Sequence, residues 1–315
     1  MNRFDVTSTT DQVIEGISLA GKLAVVTGAS AGLGVETCRA LAAAGAAVVM
    51  VARDEDKLEA VAKDLLRQQP QAQLHTQVMD LADLNSVHNA ATEILLHHPE
   101  IQLLINNAGV MACPLQRTVE GFEMQLGTNH LGHFLFTGLL ADALVNGAPG
   151  RVISLSSAGH KFARFNFEDP SYNLRNYDKW QAYGESKTAN ILFSVGLDLR
   201  TRERGVRAFA VHPGAIMTSL GRHMVEGDFE AMTEKNPSSE PLTFKSLEQG
   251  AATTVWAASS PDLAGRGGIY LENCQIAPAA VQGKTIGVES YAVNPAAAER
   301  LWTLSEELVG RSFEF

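Results

Sequence analysis

The sequence predicts a single α/β domain in which a doubly wound parallel sheet is covered by helices on both faces. Short, β-branched apolar segments alternate with Ala/Leu-rich or amphipathic segments along most of the 315-residue chain. This alternation is typical of parallel sheets whose crossover connections are helices. No internal repeat or Pro/Gly/Ser-rich linker interrupts it. We therefore expect an N-terminal extension over residues 1–20 and one domain over residues 21–310.

The strands are predicted from short apolar runs, because both faces of a parallel strand are covered. They are Leu23–Thr27, Ala46–Ala52, Leu74–Val78, Ile101–Ile105, Arg151–Leu155, Val206–Val211 and Ile269–Leu271. Helices are predicted between several of them from Ala/Leu-rich or periodically apolar segments. They are Val35–Ala44, Lys57–Gln69, Trp180–Arg204 and the mostly helical Gly121–Val145.

Charge and cysteine content exclude several functional classes. The net charge is −10 and the basic residues are scattered, so a nucleic-acid partner is not expected. Cys38, Cys113 and Cys274 are odd in number and widely spaced, which fits neither a disulfide framework nor a zinc site. The first residues lack the apolar core of a signal peptide, and no apolar run is long enough to span a bilayer. We expect a cytoplasmic protein without a membrane anchor.

A glycine-rich loop, Thr27-Gly28-Ala29-Ser30-Ala31-Gly32-Leu33-Gly34, joins the first strand to the first helix. Glycines permit a tight turn and let backbone N–H groups approach a pyrophosphate, which the helix N-terminus also attracts. Such loops also occur as plain turns, and the strand–loop–helix context is what favours a dinucleotide. The residues expected to contact the nucleotide here are Gly28, Ser30, Gly32, Leu33 and Gly34.

Five further motifs follow the loop in order along the chain. They are Asn106-Asn107-Ala108-Gly109 after the fourth strand, Asn129 in Asn-His-Leu-Gly-His-Phe, Ser157 ending Ile-Ser-Leu-Ser-Ser, Tyr183-x-x-x-Lys187, and Pro213-Gly214-Ala215-Ile216-Met217-Thr218. With the Gly-x-x-x-Gly-x-Gly spacing of the loop, the chain resembles the short-chain dehydrogenase/reductase family. Segments 180–190, 211–214 and 300–305 most resemble its retinol dehydrogenase-like branch. The resemblance implies a Rossmann fold that binds NAD(P).

Tyr183 and Lys187 stand four residues apart on a predicted helix, so their side chains project from one face. A free tyrosine has a pKa of about 10 and exchanges protons poorly near neutrality, whereas a nearby ammonium favours tyrosinate. Tyr183 is therefore predicted to be the general acid/base, with Lys187 lowering its pKa. The resemblance further implies that Lys187 holds the nicotinamide ribose, that Ser157 hydrogen-bonds the substrate oxygen, and that Asn129 supports Lys187 through a water.

Plainer interpretations stand beside these roles. An isolated Tyr-x-x-x-Lys is most often a surface pair, and Asn129 could be a structural asparagine within a helix. Ser156 is the rival of Ser157, because neighbouring strand residues face opposite ways. His130 and His133 lack a convincing carboxylate partner, so no metal is expected.

The end of the second strand, Ala52-Arg53, bears on the choice between the two nicotinamide cofactors. NAD enzymes place an acidic residue there for the ribose 2′-hydroxyl, whereas NADP enzymes use a nearby arginine for the 2′-phosphate. Alanine does not repel a phosphate and Arg53 can pair with it, although Asp54 would oppose this if it pointed inward. We therefore expect NADP(H), with NAD(H) as the second choice. Asp80 is expected to cap the adenine amino group.

The remaining cofactor contacts are expected along the same edge of the sheet, in the motifs given above and after the third strand. They are Leu81, Asn107, Ala108, Gly109, Pro213, Gly214, Ile216 and Thr218, together with Tyr183 and Lys187.

Two long irregular segments, 158–181 and 219–246, are expected to be substrate loops that roof the site. The first is rich in aromatic residues, which favours a lipophilic carbonyl or alcohol substrate. Aromatic residues also serve simply to pack an insertion onto the core, and this alternative stays open. The aromatic residues of the segment are Phe162, Phe165, Phe167, Tyr172, Tyr177 and Trp180.

The sequence therefore predicts an oxidoreductase that interconverts a carbonyl compound and its alcohol. The alternative is a non-catalytic, NADP(H)-sensing interaction protein, which the intact Ser157, Tyr183 and Lys187 disfavour. Many family members assemble through helices that correspond here to residues 131–145 and 188–200. Both segments are apolar, so a homodimer or a homotetramer is left open.

Overall fold

The computed structural model describes residues 3–235 and 243–315, through which one eight-stranded sheet runs in the order β3-β2-β1-β4-β5-β6-β7-β8. All neighbouring strands are parallel except β7 and β8, which pair antiparallel. The strands are β1 Leu23–Thr27, β2 Ala47–Ala52, β3 Gln73–Val78, β4 Leu103–Asn106, β5 Gly150–Leu155, β6 Val206–His212, β7 Ile269–Glu272 and β8 Gln275–Ile276.

Helices connect the strands and cover both faces of the sheet. They are α1 Thr10–Ile14, α2 Gly32–Ala43, α3 Glu55–Gln68, α4 Leu84–His97, α5 Met124–Leu126, α6 Gly132–Leu139, α7 Ala141–Asn146, α8 Lys179–Thr201, α9 Asp228–Lys235, α10 Leu247–Ser259 and α11 Pro295–Val309. A π-helical turn, Gly127–Leu131, joins α5 to α6. Across the described ranges, none of these helices combines the length and the apolarity that crossing a bilayer requires.

The predicted doubly wound α/β fold is confirmed, and each predicted strand lies within about two residues of an observed one. Helices α1, α4, α9, α10 and α11 and the short strand β8 were not predicted. Strand β3 also differs from the continuous buried run that a central strand would have, because it forms the edge of the sheet and its side chains are half-buried or exposed.

The core consists of two apolar layers, one on each face of the sheet. Side chains of β1 alternate between them: Ala24 and Val26 pack in one layer, whereas Leu23 and Val25 pack in the other. This alternation is the two-residue period of a strand whose faces are both covered. The carboxyl ends of the parallel strands consequently meet along one edge, which remains available for a site.

The segment before β1 packs against this core. Helix α1 is closed at its start by a capping box between Thr9 and Gln12 and lies against α2 and α10. Arg39 of α2 forms ion pairs with Asp11 and Glu36, and Leu19 is buried in the core layer that contains Ala24. The described part of the predicted N-terminal extension thus adds to the domain, while residues 1–2 lie outside the described ranges.

The C-terminal helix covers part of the surface that the sequence suggested for assembly. Trp302 of α11 stacks on Phe193 of α8 at 6.0 Å between ring centroids, and it meets Phe134 of α6 edge-on at 4.9 Å. Phe313, beyond α11, also packs against Phe134. These rings bury one another within a single chain, so homo-oligomerisation stays a prediction.

We expect Leu19→Ala to lower the free energy of unfolding by about 3 kcal/mol, because it leaves a cavity at a side chain that is only 2% exposed. Urea unfolding followed by tryptophan fluorescence measures this loss. The matched control is Leu96→Ala, whose side chain is 69% exposed and should cost less than about 0.5 kcal/mol. Equal losses would show that the segment before β1 does not contribute to the core.

Candidate functional site

A cavity of about 1650 Å³ opens at the carboxyl ends of the parallel strands. Open α/β sheets bind ligands at this edge, where the connections to the helices diverge. Every site residue predicted from the sequence lines this cavity except Asn129. The structure therefore brings together motifs that are spread over residues 27–218 of the chain.

One wall of the cavity is the loop between β1 and α2, and its glycines leave no room for side chains. A Cβ on Gly34 would lie 2.1 Å from the carbonyl oxygen of Gly28, and a Cβ on Gly28 would lie 2.8 Å from Nδ2 of Asn107. Gly28 also has a φ of +70°, which favours glycine. Helix α2 begins after Ala31 without a side-chain cap, so its first N–H groups remain for an anion.

Thr27 fixes this loop to the neighbouring strand end. Its Oγ1 accepts hydrogen bonds from the backbone N–H groups of Asn107 (2.9 Å) and Ala108 (3.0 Å), and lies 2.8 Å from Nε2 of His133. Burial lowers the pKa of His133 to about 4, so the ring is neutral. No sequence pattern indicates this contact, because His133 is 106 residues away from Thr27.

The two candidate serines at the end of β5 face opposite ways. The Oγ of Ser156 is buried and donates to the carbonyl oxygen of Lys187 at 2.9 Å. Ser157 lies in the cavity wall, and its Oγ accepts a hydrogen bond from the N–H of Gly159 at 3.0 Å. Both serines line the cavity, but the Ser156 hydroxyl is buried and donates to a backbone carbonyl, so the Ser157 hydroxyl is the more accessible to a ligand.

Tyr183 and Lys187 project from α8 into the same part of the cavity. Helix α8 begins after Asp178, whose side chain accepts from the N–H groups of Trp180 and Gln181. The Ser157 hydroxyl lies close enough to the Tyr183 phenol to lower its pKa, while Lys187 donates from Nζ to the carbonyl oxygen of Leu155 at 3.0 Å. The Lys187 Nζ lies 5.7 Å from the centre of the Tyr183 ring.

Burial dominates the electrostatics of this pair. It raises the pKa of Tyr183 to about 12, and the nearby Ser157 hydroxyl opposes the rise. It lowers the pKa of Lys187 to about 8. Near neutral pH the phenol is therefore protonated, and Lys187 is close to the point at which it loses its charge.

Asn129 lies behind the cavity, within the π-helical turn. Its Oδ1 accepts from the N–H of Val110 at 2.8 Å, and its Nδ2 donates to the carbonyl oxygen of Val110 and to Oγ of Ser186, each at 3.0 Å. A Cβ on Gly109 would lie 3.0 Å from Oδ1 of Asn129 and 3.7 Å from Nζ of Lys187. Through its bonds to Val110, the Asn129 amide thus holds the Gly109–Val110 backbone, which lies between Asn129 and Lys187. Turns of this π-helical kind are frequent at functional sites.

Two arginines line the cavity. Arg53 follows the end of β2, and Arg222 lies in the 219–246 segment. Burial, followed by the charge of Arg53, lowers the pKa of Arg222. Asp54 caps α3 by accepting from the N–H of Lys57 at 3.1 Å, and both residues also line the cavity. Asp80 accepts from the N–H of Ala82 at 2.9 Å and also lines the cavity.

Aromatic and thioether side chains also line the cavity. Phe162 and Trp180 meet edge-on at 6.2 Å, and both face the cavity. The other aromatic residues of the 158–181 segment pack among themselves, as Phe165 with Phe167 and Tyr172 with Tyr177. From the 219–246 segment, Met224, Met232 and Phe244 are among the lining residues, whereas residues 236–242 lie outside the described part.

The buried histidines have structural partners. His130 lies 2.8 Å from Oγ of Ser305, and His212 accepts at Nδ1 from the N–H groups of Ala158 and Gly214. Over residues 3–235 and 243–315, no three His, Cys, Asp or Glu side chains converge where a metal could bind. Sequence reasoning missed Lys245 and Glu272, which also line the cavity; their only signal was proximity to predicted strand ends or loops.

Comparison with protein families and known proteins places this cavity in context. Residues 22–228 match the family model described as short chain dehydrogenase. The chain is 39% identical over 298 residues to "Retinol dehydrogenase 12" of Mus musculus, covering 95% of this chain and 89% of that protein. It is 42% identical over 293 residues to "Probable oxidoreductase" of Streptomyces lividans, covering 91% of this chain and 97% of that protein.

Solved structures show the same architecture. An uncharacterized protein from Mycobacterium paratuberculosis superposes with a TM-score of 0.75 at 33% identity, covering 98% of this chain and all of that one (100%). A putative NAD(P) dependent gluconate 5-dehydrogenase from Beutenbergia cavernae, solved with bound NADP, superposes with a TM-score of 0.65 at 25% identity. That match covers 81% of this chain and 96% of the other.

Proposed function

We propose, given that this chain belongs to the short-chain dehydrogenase/reductase family and to its retinol dehydrogenase-like branch, that it interconverts a lipophilic carbonyl compound and its alcohol with NADP(H). Family membership makes the protein an NAD(P)-dependent dehydrogenase or reductase. The preference for NADP(H), the lipophilic substrate and the roles of individual residues are the proposal. The observation that carries it is the convergence of Ser157, Tyr183 and Lys187 beside a glycine-walled helix N-terminus.

The cavity fits a dinucleotide on its own features. The loop of β1 and α2 allows backbone N–H groups to approach a pyrophosphate, because Gly28 and Gly34 leave no Cβ in the way. The uncapped start of α2 favours a negative charge at the same place. Asn107 and Gly109 would border the ribose and nicotinamide, and Ile216 and Thr218 would hold the carboxamide.

In the reductive direction, Tyr183 donates its phenolic proton to the substrate oxygen while Ser157 hydrogen-bonds that oxygen and stabilises its developing charge. The bound nicotinamide supplies the hydride to the carbonyl carbon. Lys187 provides positive charge that favours the tyrosinate left behind, and its ammonium would hold the ribose hydroxyls. Asn129 supports this arrangement from behind Gly109, and in the proposal a water completes the path from it to Lys187.

The apolar side chains of the cavity wall support a lipophilic substrate. Phe162, Trp180 and Met224 are among the lining residues, and they offer contact area but no charge. The alternative of a non-catalytic NADP(H)-sensing protein has no comparable support, since the relatives are named as dehydrogenases and oxidoreductases.

Replacing Tyr183 tests the proton donor. We expect Tyr183→Phe to lower kcat for carbonyl reduction about 1000-fold, since general acid catalysis contributes on this order, while the Kd for NADPH changes less than about threefold. NADPH oxidation measured against hydrophobic ketones, aldehydes and quinones gives kcat, and fluorescence titration gives Kd. Tyr291→Phe is the control, because its hydroxyl bonds to the His160 carbonyl outside the cavity. Equal activity of the two variants would exclude Tyr183 as the acid.

The pH profile tests the charge of Lys187. Its pKa of about 8 lies below the ordinary value of 10.5, so the ammonium is present below pH 8 and is lost as the pH rises through 8. Tyr183, with a pKa of about 12, stays protonated over this range. We expect kcat/KM for reduction to fall about tenfold per pH unit above about 8. Lys187→Arg should remove this fall, because arginine keeps its charge. A wild-type profile that is flat to pH 10 would contradict the role of the ammonium.

Arg53 supports the preference for NADP(H). It lines the cavity at the end of β2 beside Ala52, where a carboxylate would otherwise repel a phosphate, and Asp54 is engaged in capping α3. Arg222 adds a second positive charge to the same region. A 2′-phosphate at this position would therefore meet the positive charges of Arg53 and Arg222, while the Asp54 carboxylate, which also lines the cavity, accepts a hydrogen bond from the start of α3.

We expect Arg53→Ala to lower kcat/KM for NADPH about 30-fold and to leave kcat/KM for NADH within about twofold, since one charge-assisted bond to the 2′-phosphate is lost. Initial rates with both cofactors and one ketone measure the ratio. Arg67→Ala, on the exposed face of α3 with 78% of its side chain accessible, should change neither value. Parallel losses for NADPH and NADH would assign Arg53 a structural role only.

A further inference from the structure

A short segment after the last strand forms one side of the cavity. We call Pro278–Val288 the flap. It leaves β8 at the sheet edge opposite β3, far from Arg53, and folds back on itself. The N–H of Val288 donates to the carbonyl oxygen of Pro278, and the N–H of Ala280 donates to that of Val288, each at 2.9 Å. Gly287 has a φ of +100°, and a Cβ there would lie 2.8 Å from Cα of Ala280.

The side chain of Lys161 holds the flap. The Lys161 Nζ donates to the carbonyl oxygens of residues 284, 285 and 286, at 3.2, 2.8 and 2.9 Å. A lysine ammonium has three donors, and here all three bond the flap backbone. Lys161 is part of the turn Ala158–Phe162, which begins directly after Ser157.

A second contact holds the base of the flap. Glu272, at the carboxyl end of β7, accepts from the N–H of Gly287 at 2.6 Å and is only 4% exposed. Burial raises the pKa of Glu272, whereas the bond from Gly287 and the charge of Lys161 lower it. Two side chains from separate strand ends therefore fix consecutive positions of one loop.

The flap presents one apolar side chain to the cavity. Ile286 and its neighbour Thr285 line the cavity, and Lys161, which bonds to both of them, directly precedes the lining residue Phe162. Ile286 is nevertheless 45% exposed, so a ligand in the cavity could cover apolar surface there. Val281, near the tip of the same flap, is 63% exposed and does not line the cavity.

We propose that the flap sets the size and shape of the substrate that the cavity accepts, with Ile286 as the specificity-determining contact and Lys161 as the positioning residue that holds it beside Ser157. The inference rests on the proposed carbonyl reductase function and names its substrate class: carbonyl compounds with a bulky apolar group on the side away from the nucleotide. Small carbonyl compounds would react at Ser157 and Tyr183 without reaching Ile286.

Truncation of Ile286 tests the contact. We expect Ile286→Ala to raise KM for 2-acetonaphthone about tenfold with kcat nearly unchanged, and to leave both constants for butan-2-one within twofold, because a few lost methyl groups weaken apolar binding by this order. The matched control is Val281→Ala, which removes a similar side chain from the same flap and should change neither substrate. If the two variants behave alike, the flap does not contact substrate.

Replacing Lys161 tests the positioning role. Lys161→Met removes the three bonds to the flap while keeping the length of the side chain, and Lys161→Arg restores donors. We expect Lys161→Met to raise KM for 2-acetonaphthone at least fivefold, to speed hydrogen exchange at residues 284–286, and to leave the Kd for NADPH unchanged. Lys161→Arg should recover most of the KM. A lowered melting temperature with an unchanged ratio of KM values for the two ketones would refute the positioning role.

A binding measurement distinguishes failure of the proposed reductase function from failure of the flap proposal. Trp180 lines the cavity, so quenching of tryptophan fluorescence by 2-acetonaphthone measures binding without turnover. If wild type binds this ketone without oxidising NADPH, the reductase function fails while the flap is still judged, since Ile286→Ala should weaken binding about tenfold and Val281→Ala should not. Equal binding by wild type and Ile286→Ala overturns the flap proposal whether or not the enzyme turns over.

Discussion

The parallel direction of the strands is the constraint on which the rest of this structure depends. Because β1, β2, β4, β5, β6 and β7 all run the same way, their carboxyl ends meet at one edge, and each connection must leave from that edge. Several functional residues lie in these connections. They are the residues of the glycine loop, Arg53, the Asn106–Gly109 motif, Ser157 and the Pro213–Thr218 motif. A single cavity can therefore collect motifs that are nearly two hundred positions apart in the sequence.

The same arrangement of strand ends buries the charged group of Lys187. Lys187 is buried among the ends of β5 and α8, and the depression of its pKa to about 8 corresponds to roughly 3 kcal/mol of disfavoured charge. A hydrogen bond from Nζ to the Leu155 carbonyl oxygen partly offsets this cost. A neighbouring anion would stabilise the ammonium further. Tyr183 is unfavourable as an anion for the same reason, so a tyrosinate there and the Lys187 ammonium would stabilise each other more strongly than in water.

The sequence predicted the elements whose signal is local. Apolar runs such as Leu23–Thr27 mark strands because burial on both faces demands them, and Tyr183 with Lys187 mark a helix face by spacing alone. Contacts between distant residues carried no such signal. Lys161 bonds to carbonyl groups 123 to 125 residues further along the chain, and backbone acceptors are the same for every residue type. The aromatic 158–181 segment left two interpretations open for a related reason, because composition does not distinguish a cavity lining, as at Phe162, from the packing of Phe165 on Phe167.

The cavity wall combines two kinds of chemistry, and this combination bears on how the proposed ligands would lie in it. Arg53 and Arg222 contribute positive charge, whereas Trp180, Phe162 and Ile286 contribute apolar surface. A nucleotide whose phosphates lay against the apolar side chains would lose its charge pairing with the arginines. The hydroxyl groups of Ser157 and Tyr183 line the same cavity, where a carbonyl oxygen on a largely apolar molecule would still need a hydrogen-bond donor. The proposed anionic cofactor and the proposed apolar substrate would therefore be held by different side chains of one cavity wall.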